Sequence, residues 1–150
     1  MFTKKEFSFV FLVLSILAVV TVINLYSSYT KSRDNERKNS MGDIVARLGE
    51  FQKLTGTFPL SQDGKIVGCD GFKDKLNRWF FKPCNWGPNE LNSPVFNPLP
   101  HDPYIEKGRK FVYFSDGKIY QLYSALEGTY EDEYDKNILA RNISSRKSKL

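Results

Sequence analysis

The feature that most constrains this chain is an uncharged apolar stretch near its N-terminus. Residues 7–26 read FSFVFLVLSILAVVTVINLY, without a charged side chain. At a rise of about 1.5 Å per residue, a helix of this length spans the roughly 30 Å hydrocarbon layer of a bilayer. The alternative is a cleaved signal peptide, whose apolar region is shorter and ends at small residues. Because this stretch runs instead into Leu25 and Tyr26, the sequence predicts an uncleaved single transmembrane helix.

The length leaves room for one folded domain outside the membrane. The chain has 150 residues, so about 120 remain after the apolar stretch, enough for one modest hydrophobic core. Aromatic residues make up 15% of the chain, and most of them lie outside residues 7–26. This composition is typical of a folded domain rather than a disordered one.

The basic charge is concentrated beside the predicted membrane helix and at the C-terminus. The formal net charge is +5; residues 31–38 hold four basic and two acidic side chains, and residues 141–150 hold four basic ones. Residues 39–140 hold 12 basic and 14 acidic side chains, a net charge of −2. Cations next to a membrane are attracted to anionic lipid. We therefore expect the lipid bilayer to be a partner and do not expect nucleic-acid binding.

An amphipathic helix is predicted directly after the membrane. Apolar side chains recur at spacings of three and four residues: Ile44, Val45, Leu48, Phe51 and Leu54. This pattern is typical of a helix with one buried face. Gly56 follows the last of them and Pro59 comes soon after, so the helix is predicted to end there. Because no proline interrupts residues 27–42, this helix is expected to continue from the membrane helix.

The two cysteines, Cys69 and Cys84, bear on both stability and orientation. Their spacing in an exported domain predicts one disulfide closing a short loop, worth about 3 kcal/mol in the chain-entropy view, with two free thiols as the alternative. By the positive-inside rule, Lys4 and Lys5 favour a cytoplasmic N-terminus, whereas the basic residues at 31–38 favour the opposite. The predicted disulfide decides for a cytoplasmic N-terminus and an extracytoplasmic C-terminal domain.

The remainder combines a proline-rich region with a β-hairpin. Residues 60–105 carry most of the prolines and several glycines, which predicts mainly loop. A short helical turn is predicted at Leu76, Trp79 and Phe80. Residues 111–114 and 118–123 are β-prone, and the Asp-Gly pair at 116–117 between them is a strong hairpin signal.

Three local patterns, taken in order, resemble the type IV pilin and type II secretion pseudopilin superfamily, especially its major-pseudopilin-like members. LGEFQKLTGTFP at residues 48–59 resembles the end of the family's long helix. LPHDPY at residues 99–104 resembles its Leu-Pro-x-Asp-Pro segment, and FVY at 111–113 with YQLYSALE at 120–127 resembles its closing hairpin. The resemblance implies a pilin-like α+β fold, in which a long N-terminal helix packs on a small antiparallel sheet.

The resemblance also implies an assembly role for the N-terminus. Phe2, Thr3 and Glu6 match the family's Phe-Thr-Leu-x-Glu start, where the glutamate is thought to neutralise the N-terminal amine of a neighbouring subunit. The sequence departs from the family at Lys4 and Lys5, and no basic leader ending in glycine precedes Phe2. Two interpretations stay open: a processed subunit that polymerises, and a pilin-like protein that stays in the membrane.

Calcium and catalysis are the two chemical candidates. An acidic run follows the hairpin, and some pseudopilins bind calcium in their C-terminal loop; Glu127, Asp132 and Asp135 are the ligands we would test. The alternative is a solvated acidic surface. His101 with Asp102 suggests acid–base chemistry, but a turn between two prolines is the favoured interpretation, so we do not expect an enzyme.

The sequence therefore predicts five segments: a short start at 1–6, a transmembrane helix at 7–26, an amphipathic helix at 27–56, a pilin-like domain at 57–143 and a basic tail at 144–150. The predicted function is that of a structural subunit of a cell-envelope filament or secretion apparatus. It would act by assembly with copies of itself or with other pilin-like subunits. The alternative is a monomeric membrane-anchored domain that binds a ligand or a partner.

Overall fold

The computed structural model of the chain describes residues 4–87, 93, 95–96, 98–129, 132 and 134. One α-helix, α1, runs without interruption from Lys4–Thr55. It ends where the sequence predicts, because Gly56 adopts a left-handed conformation with φ of 85°. The Gly56 amide donates to the Gln52 carbonyl over 2.8 Å and closes the last turn. The apolar stretch and the amphipathic stretch are thus one continuous helix.

The second half of α1 presents a narrower buried face than the sequence predicts. Ile44, Leu48 and Phe51 are buried in the core. The predictions for Val45 and Leu54 are wrong, because their side chains are 43% and 68% exposed. With 3.6 residues per turn, each lies about 80–100° around the helix from Ile44, beyond the edge of the buried stripe.

A three-stranded antiparallel sheet follows α1, with the strand order β1-β2-β3. The strands are β1 (Leu60–Gln62), β2 (Lys65–Lys73) and β3 (Trp79–Pro83). The sequence analysis missed these three strands within the region predicted to be mainly loop, and the predicted helical turn at Leu76, Trp79 and Phe80 is wrong, because Trp79 and Phe80 lie in β3. Phe72 pairs with Phe80 across β2 and β3, and their rings stack at 5.5 Å. Cross-strand aromatic pairs of this kind stabilise a sheet, even beside the glycines that suggested loop.

The predicted C-terminal hairpin is confirmed as β4 (Val112–Ser115) and β5 (Tyr120–Tyr123). Asp116 caps its turn by accepting the amides of Lys118 and Ile119 over 2.9 and 3.0 Å. Ser61 joins β1 to β4, because its hydroxyl accepts the amide of Ser115 over 3.0 Å. A short 3-10 helix, Ile105–Lys107, precedes the hairpin.

The hydrophobic core lies between α1 and the strands, which gives an α+β arrangement. Its aromatic members are Phe51, Trp86, Phe96, Phe111 and Tyr113. The backbone of β2 lies close to the Phe96 ring at Gly68, where an added Cβ would lie 2.5 Å from that ring. The Tyr113 hydroxyl donates to the Pro59 carbonyl over 2.8 Å, and burial raises the pKa of Tyr113 to about 12. This hydrogen bond ties β4 to the segment between α1 and β1.

Candidate functional site

The first half of α1 is a candidate membrane span. It contains an 18-residue window of mean hydropathy 2.6 that the rest of the described chain leaves entirely uncovered. Its hydroxyl groups are satisfied within the helix: Ser15 donates to the Phe11 carbonyl over 2.9 Å, and Thr21 donates to the Leu17 carbonyl over 2.8 Å. Internally bonded hydroxyls carry little penalty in lipid. By length and composition, this stretch is suited to cross a bilayer once.

Arg37 lies about three turns beyond that stretch and is completely buried. Its Nε and Nη2 donate to both carboxylate oxygens of Asp102, over 2.8 and 3.2 Å. Its Nη1 donates to Asp34 one turn earlier on α1, over 2.7 Å, and its Nη2 also donates to Glu127. Planar two-point pairing with a carboxylate is the strong geometry for arginine. One guanidinium thus joins α1, the loop before the 3-10 helix and the segment after β5.

A second layer of polar contacts surrounds this guanidinium. Arg33 donates to Glu127 over 2.7 Å, and Arg109 lies 3.3 Å from the same carboxylate. Asp34 accepts the amides of Glu127 and Gly128, over 3.0 and 2.7 Å.

The ionic junction, as we call this cluster, contains the following side chains: Arg33, Asp34, Arg37, Asp102, Arg109 and Glu127. Three cations face three carboxylates, so the formal charges cancel.

The ionisation of the junction is fixed by its pairing. Burial on its own disfavours the charged forms, but the hydrogen bonds from Arg33 and Arg37, with their positive charges, lower the pKa of Glu127 to about 2. In the same way, the hydrogen bonds to Asp102, Glu127 and Asp34 outweigh burial and raise the pKa of Arg37 above its ordinary value. Both groups are therefore charged at neutral pH, and their hydrogen-bonding capacity is used within the chain.

The structure joins Cys69 and Cys84 in a disulfide, as their spacing predicts, with their Cα atoms 5.2 Å apart. The bridge ties β2 to the residue that follows β3, inside the core. Of the two predicted assembly residues, Glu6 lies in the first turn of α1 and is exposed. Phe2 lies outside the described residues. The assembly role of both stays a prediction.

The three residues named for calcium are not brought together in the part of the chain that the structure describes. Glu127 contacts arginines in the junction, Asp132 is exposed, and Asp135 lies outside the described residues. Among the described residues, no group of three or more His, Cys, Asp or Glu side chains is placed to hold a metal ion. Calcium binding therefore stays a prediction.

The pair His101 and Asp102 is divided between two environments. His101 is exposed, whereas Asp102 is buried and bound to Arg37. The predicted turn is present, because the Asp102 carboxylate also accepts the amide of Tyr104 over 2.8 Å. The sequence therefore predicted the turn at Asp102 but did not reveal its buried partner, Arg37.

The ionic junction removes Arg33 and Arg37 from the four basic residues at 31–38 that were expected to attract lipid, whereas Lys31 is exposed and its role stays a prediction. Arg37 has no exposed surface, and the side chain of Arg33 is only 20% exposed. The one signal in the sequence was the spacing of Asp34 and Arg37, since residues three apart are neighbours on a helix. Nothing in the sequence indicated that residues 102 and 127 meet them.

No family model, curated protein or solved structure matches this chain. The class of protein is thus defined by the structure alone: an α+β chain with one candidate membrane span, whose long N-terminal helix carries a small antiparallel sheet. This shape is consistent with a pilin-like fold.

Proposed function

We propose that this chain is a structural, pilin-like subunit of a cell-envelope filament or secretion apparatus, which acts by assembly rather than by catalysis. The observation that carries the proposal is the continuity of α1, from an uncovered apolar half into a half that is fixed to the domain. Because the helix is continuous and rigid, lateral association of the apolar halves would bring the domains of neighbouring copies together. Its partners are the lipid bilayer and further copies or other pilin-like subunits.

The proposed orientation places the N-terminus in the cytoplasm and the domain outside. The disulfide between Cys69 and Cys84 supports it, because such bonds persist in oxidising compartments. The ionic junction adds a second argument. Arg33 and Arg37 are balanced by carboxylates in the folded domain, so the outer flank of the membrane helix carries less uncompensated positive charge than the sequence suggested.

The second candidate function is a monomeric membrane-anchored binding module. A groove of about 580 Å³ lies between the end of α1 and the β2–β3 hairpin, with Phe51, Leu54, Trp79 and Phe81 in its walls. Its size and apolar lining are ordinary for a small-ligand site. This groove is the observation that favours binding over assembly.

Cysteine cross-linking in membranes separates the two functions. We would place a single added cysteine at Leu17 of the full-length chain and keep the native disulfide. An assembling subunit should give a ladder of multimers, and Glu6→Ala should collapse it. Glu106→Ala, at an exposed position on the 3-10 helix, serves as the matched control and should leave the ladder intact. Monomers alone, with the domain still folded, would refute assembly and favour the binding module.

A further inference from the structure

The segment that contains the 3-10 helix is folded tightly around Tyr104. The Tyr104 carbonyl accepts the amides of Lys107 and Arg109, over 2.9 and 3.2 Å. The Asp102 carboxylate accepts the Tyr104 amide and also binds the buried Arg37. The ionic junction therefore fixes the position of this segment beside α1.

Three cations lie around the Tyr104 ring. The ammonium of Lys107 lies 3.8 Å from the ring centre, and the guanidinium carbons of Arg33 and Arg109 lie 4.8 and 5.9 Å from it. Cations at these distances are attracted to the face of an aromatic ring. Lys107 and Arg109 are exposed, whereas the side chain of Arg33 is largely covered. The two exposed cations are thus held in place and remain accessible to a ligand.

Residues 104–110, which we call the cationic loop, belong to a surface with an excess of positive charge. Residues 31–38 and 102–110, together with Glu127, hold seven cations against five carboxylates, a net charge of 7 − 5 = +2. The charges of the ionic junction cancel among themselves. The excess therefore lies on the remaining side chains: Lys31, Lys38, Lys107 and Lys110 against Glu36 and Glu106. Such a surface favours an anionic ligand.

The cationic loop lies level with the surface of a bilayer that covers residues 7–26. Arg33 is seven residues beyond Tyr26, so its Cα lies about 10 Å beyond the end of the apolar stretch. Side chains on a helix lean back toward its N-terminus, which here is toward the membrane. The headgroup layer is about 5–7 Å thick on each side of a bilayer. Tyr104, whose ring contacts Arg33, therefore lies at the outer edge of the headgroups.

A crevice next to Arg33 joins this level to the hydrocarbon. Its volume is about 430 Å³, and it lies between α1 and the segment after β5. Ile23 and Tyr26 line it on α1, and Gly128 lines it on the opposite side. Arg33 borders it, because its Nη2 donates to the hydroxyl of the lining residue Thr30 over 3.4 Å. An apolar wall that continues into lipid, with cations beside its outer end, matches the two parts of a phospholipid.

We propose that the cationic loop and this crevice form a binding site for an anionic phospholipid in the leaflet on the side of the domain. Its phosphate would lie beside Lys107 and Arg109, and an acyl chain would lie against Ile23. The proposal rests on the membrane location proposed above and does not require assembly. Lys107 is about 80 residues along the chain from the apolar stretch. It therefore does not count in the positive-inside rule and leaves the proposed orientation unchanged.

The experiment measures which lipid the full-length chain retains, by native mass spectrometry after release from nanodiscs. The nanodiscs contain equal amounts of phosphatidylglycerol and phosphatidylcholine, and the wild type should retain phosphatidylglycerol in preference. Lys107→Gln with Lys110→Gln should lower this preference about tenfold, because each cation beside an anionic surface contributes about fivefold at most. Lys75→Gln with Lys118→Gln is the matched control and should have no effect, since both residues are exposed in hairpin turns near the far end of α1.

Substitutions of Tyr104 test the geometry of the site. Tyr104→Phe keeps the ring and should keep the preference for phosphatidylglycerol. Tyr104→Leu should lower the preference about threefold, because the Lys107 ammonium loses the aromatic face that positions it. An equal loss in both variants would contradict the role of the ring.

Four results would overturn the proposal. Equal retention of the two lipids by the wild type would show that no headgroup site exists. An equal loss in the control variant would indicate diffuse attraction by surface charge. Displacement of phosphatidylglycerol by inorganic phosphate, but not by chloride at the same ionic strength, would assign the loop to free phosphate. A preference that appears only after Glu131→Gln, Asp132→Asn and Glu133→Gln would show that the acidic run of the chain itself occupies the loop.

The Leu17 cross-link separates this proposal from the assembly function. If the ladder persists without a lipid preference, assembly stands and the lipid site falls. If the lipid preference persists in a chain that gives no ladder, the lipid site stands and assembly falls.

Discussion

Arg37 lies where the uncovered apolar half of α1 gives way to the half that supports the domain, and its guanidinium has no exposed surface. Removing one partner of a buried ion pair leaves the others charged and desolvated, which costs far more than the pair contributes over an apolar replacement. The three carboxylates around Arg37 come from different parts of the chain. Loss of Arg37 should therefore weaken the attachment of α1 both to the loop that holds Asp102 and to the segment after β5.

We predict that Arg37→Met destabilises the domain by about 3–5 kcal/mol. The matched control is Arg78→Met, which removes an exposed arginine from its i,i+4 pair with Asp74 and should cost at most about 1 kcal/mol. Urea unfolding in detergent micelles, followed by the fluorescence of the buried Trp86, measures both. Equal effects of the two substitutions would show that the junction contributes no more than a surface ion pair.

Glu127 should make the stability of the domain depend on pH in the acid range. Its pKa is lowered from 4.5 to about 2 in the folded protein, so the folded state binds fewer protons than the unfolded state. The stabilisation is complete above about pH 5 and is lost as the pH falls toward 2, with a total of about 3 kcal/mol. Unfolding midpoints of the wild type should therefore fall more steeply between pH 5 and pH 3 than those of Glu127→Gln. Parallel curves would contradict this assignment.

Two glycines in the interior of α1 have no structural reason within a single copy. An added Cβ at Gly42 or Gly49 would meet no atom within 4 Å, and neither residue has a positive φ. Glycine in a helix interior costs about 0.5–1 kcal/mol relative to alanine. Gly56 differs, because its φ of 85° favours glycine.

We therefore predict that Gly42→Ala and Gly49→Ala each stabilise the domain by about 0.5–1 kcal/mol. Gly56→Ala, the matched control, should destabilise it by about 1–2 kcal/mol, because a side chain is strained in the left-handed region. Thermal unfolding by circular dichroism of the three variants compares them directly. A stabilising Gly56→Ala would contradict the role of this residue as the helix stop.

Sequence reasoning succeeded where the signal was local. The end of α1 depended on Gly56, and the β4–β5 hairpin depended on the Asp-Gly pair at 116–117; each pattern acts within a few residues. It failed for β2 and β3, because glycines and nearby prolines favour loop locally. Contacts across the strands, such as Phe72 with Phe80, override that preference.

The ionic junction shows the same limit at greater distance. Asp34 and Arg37 are one helical turn apart, so their pairing could be predicted from the sequence. Asp102 and Glu127 reach Arg37 only after the chain has folded back along α1. A buried charge cluster assembled from separate segments has no periodicity to reveal it.

Because α1 is continuous, the domain has a fixed angular position around the apolar half of the helix. The junction fixes the domain to α1 beginning at Arg33, only a few residues beyond the apolar stretch. In the proposed assembly, the apolar halves and the domains must therefore reach their neighbours in one fixed relation. In a monomeric binding module this relation would carry no consequence.

Alanine insertions between Tyr26 and Ser27 test this relation, because they rotate the domain without altering the junction. Two alanines turn it by about 200°, whereas four turn it by about 400°, which leaves it within about 40° of the original direction. We predict that the Leu17 cross-linking ladder disappears with two alanines and is largely retained with four. The free energy of unfolding of the domain in urea should change by less than about 0.5 kcal/mol in both, since the insertion lies outside its core.

If both insertions leave the ladder intact, the domains take no part in holding the copies together, and association is confined to the membrane. If both abolish it while the domain stays folded, the distance from the membrane, rather than the angle around the helix, controls assembly.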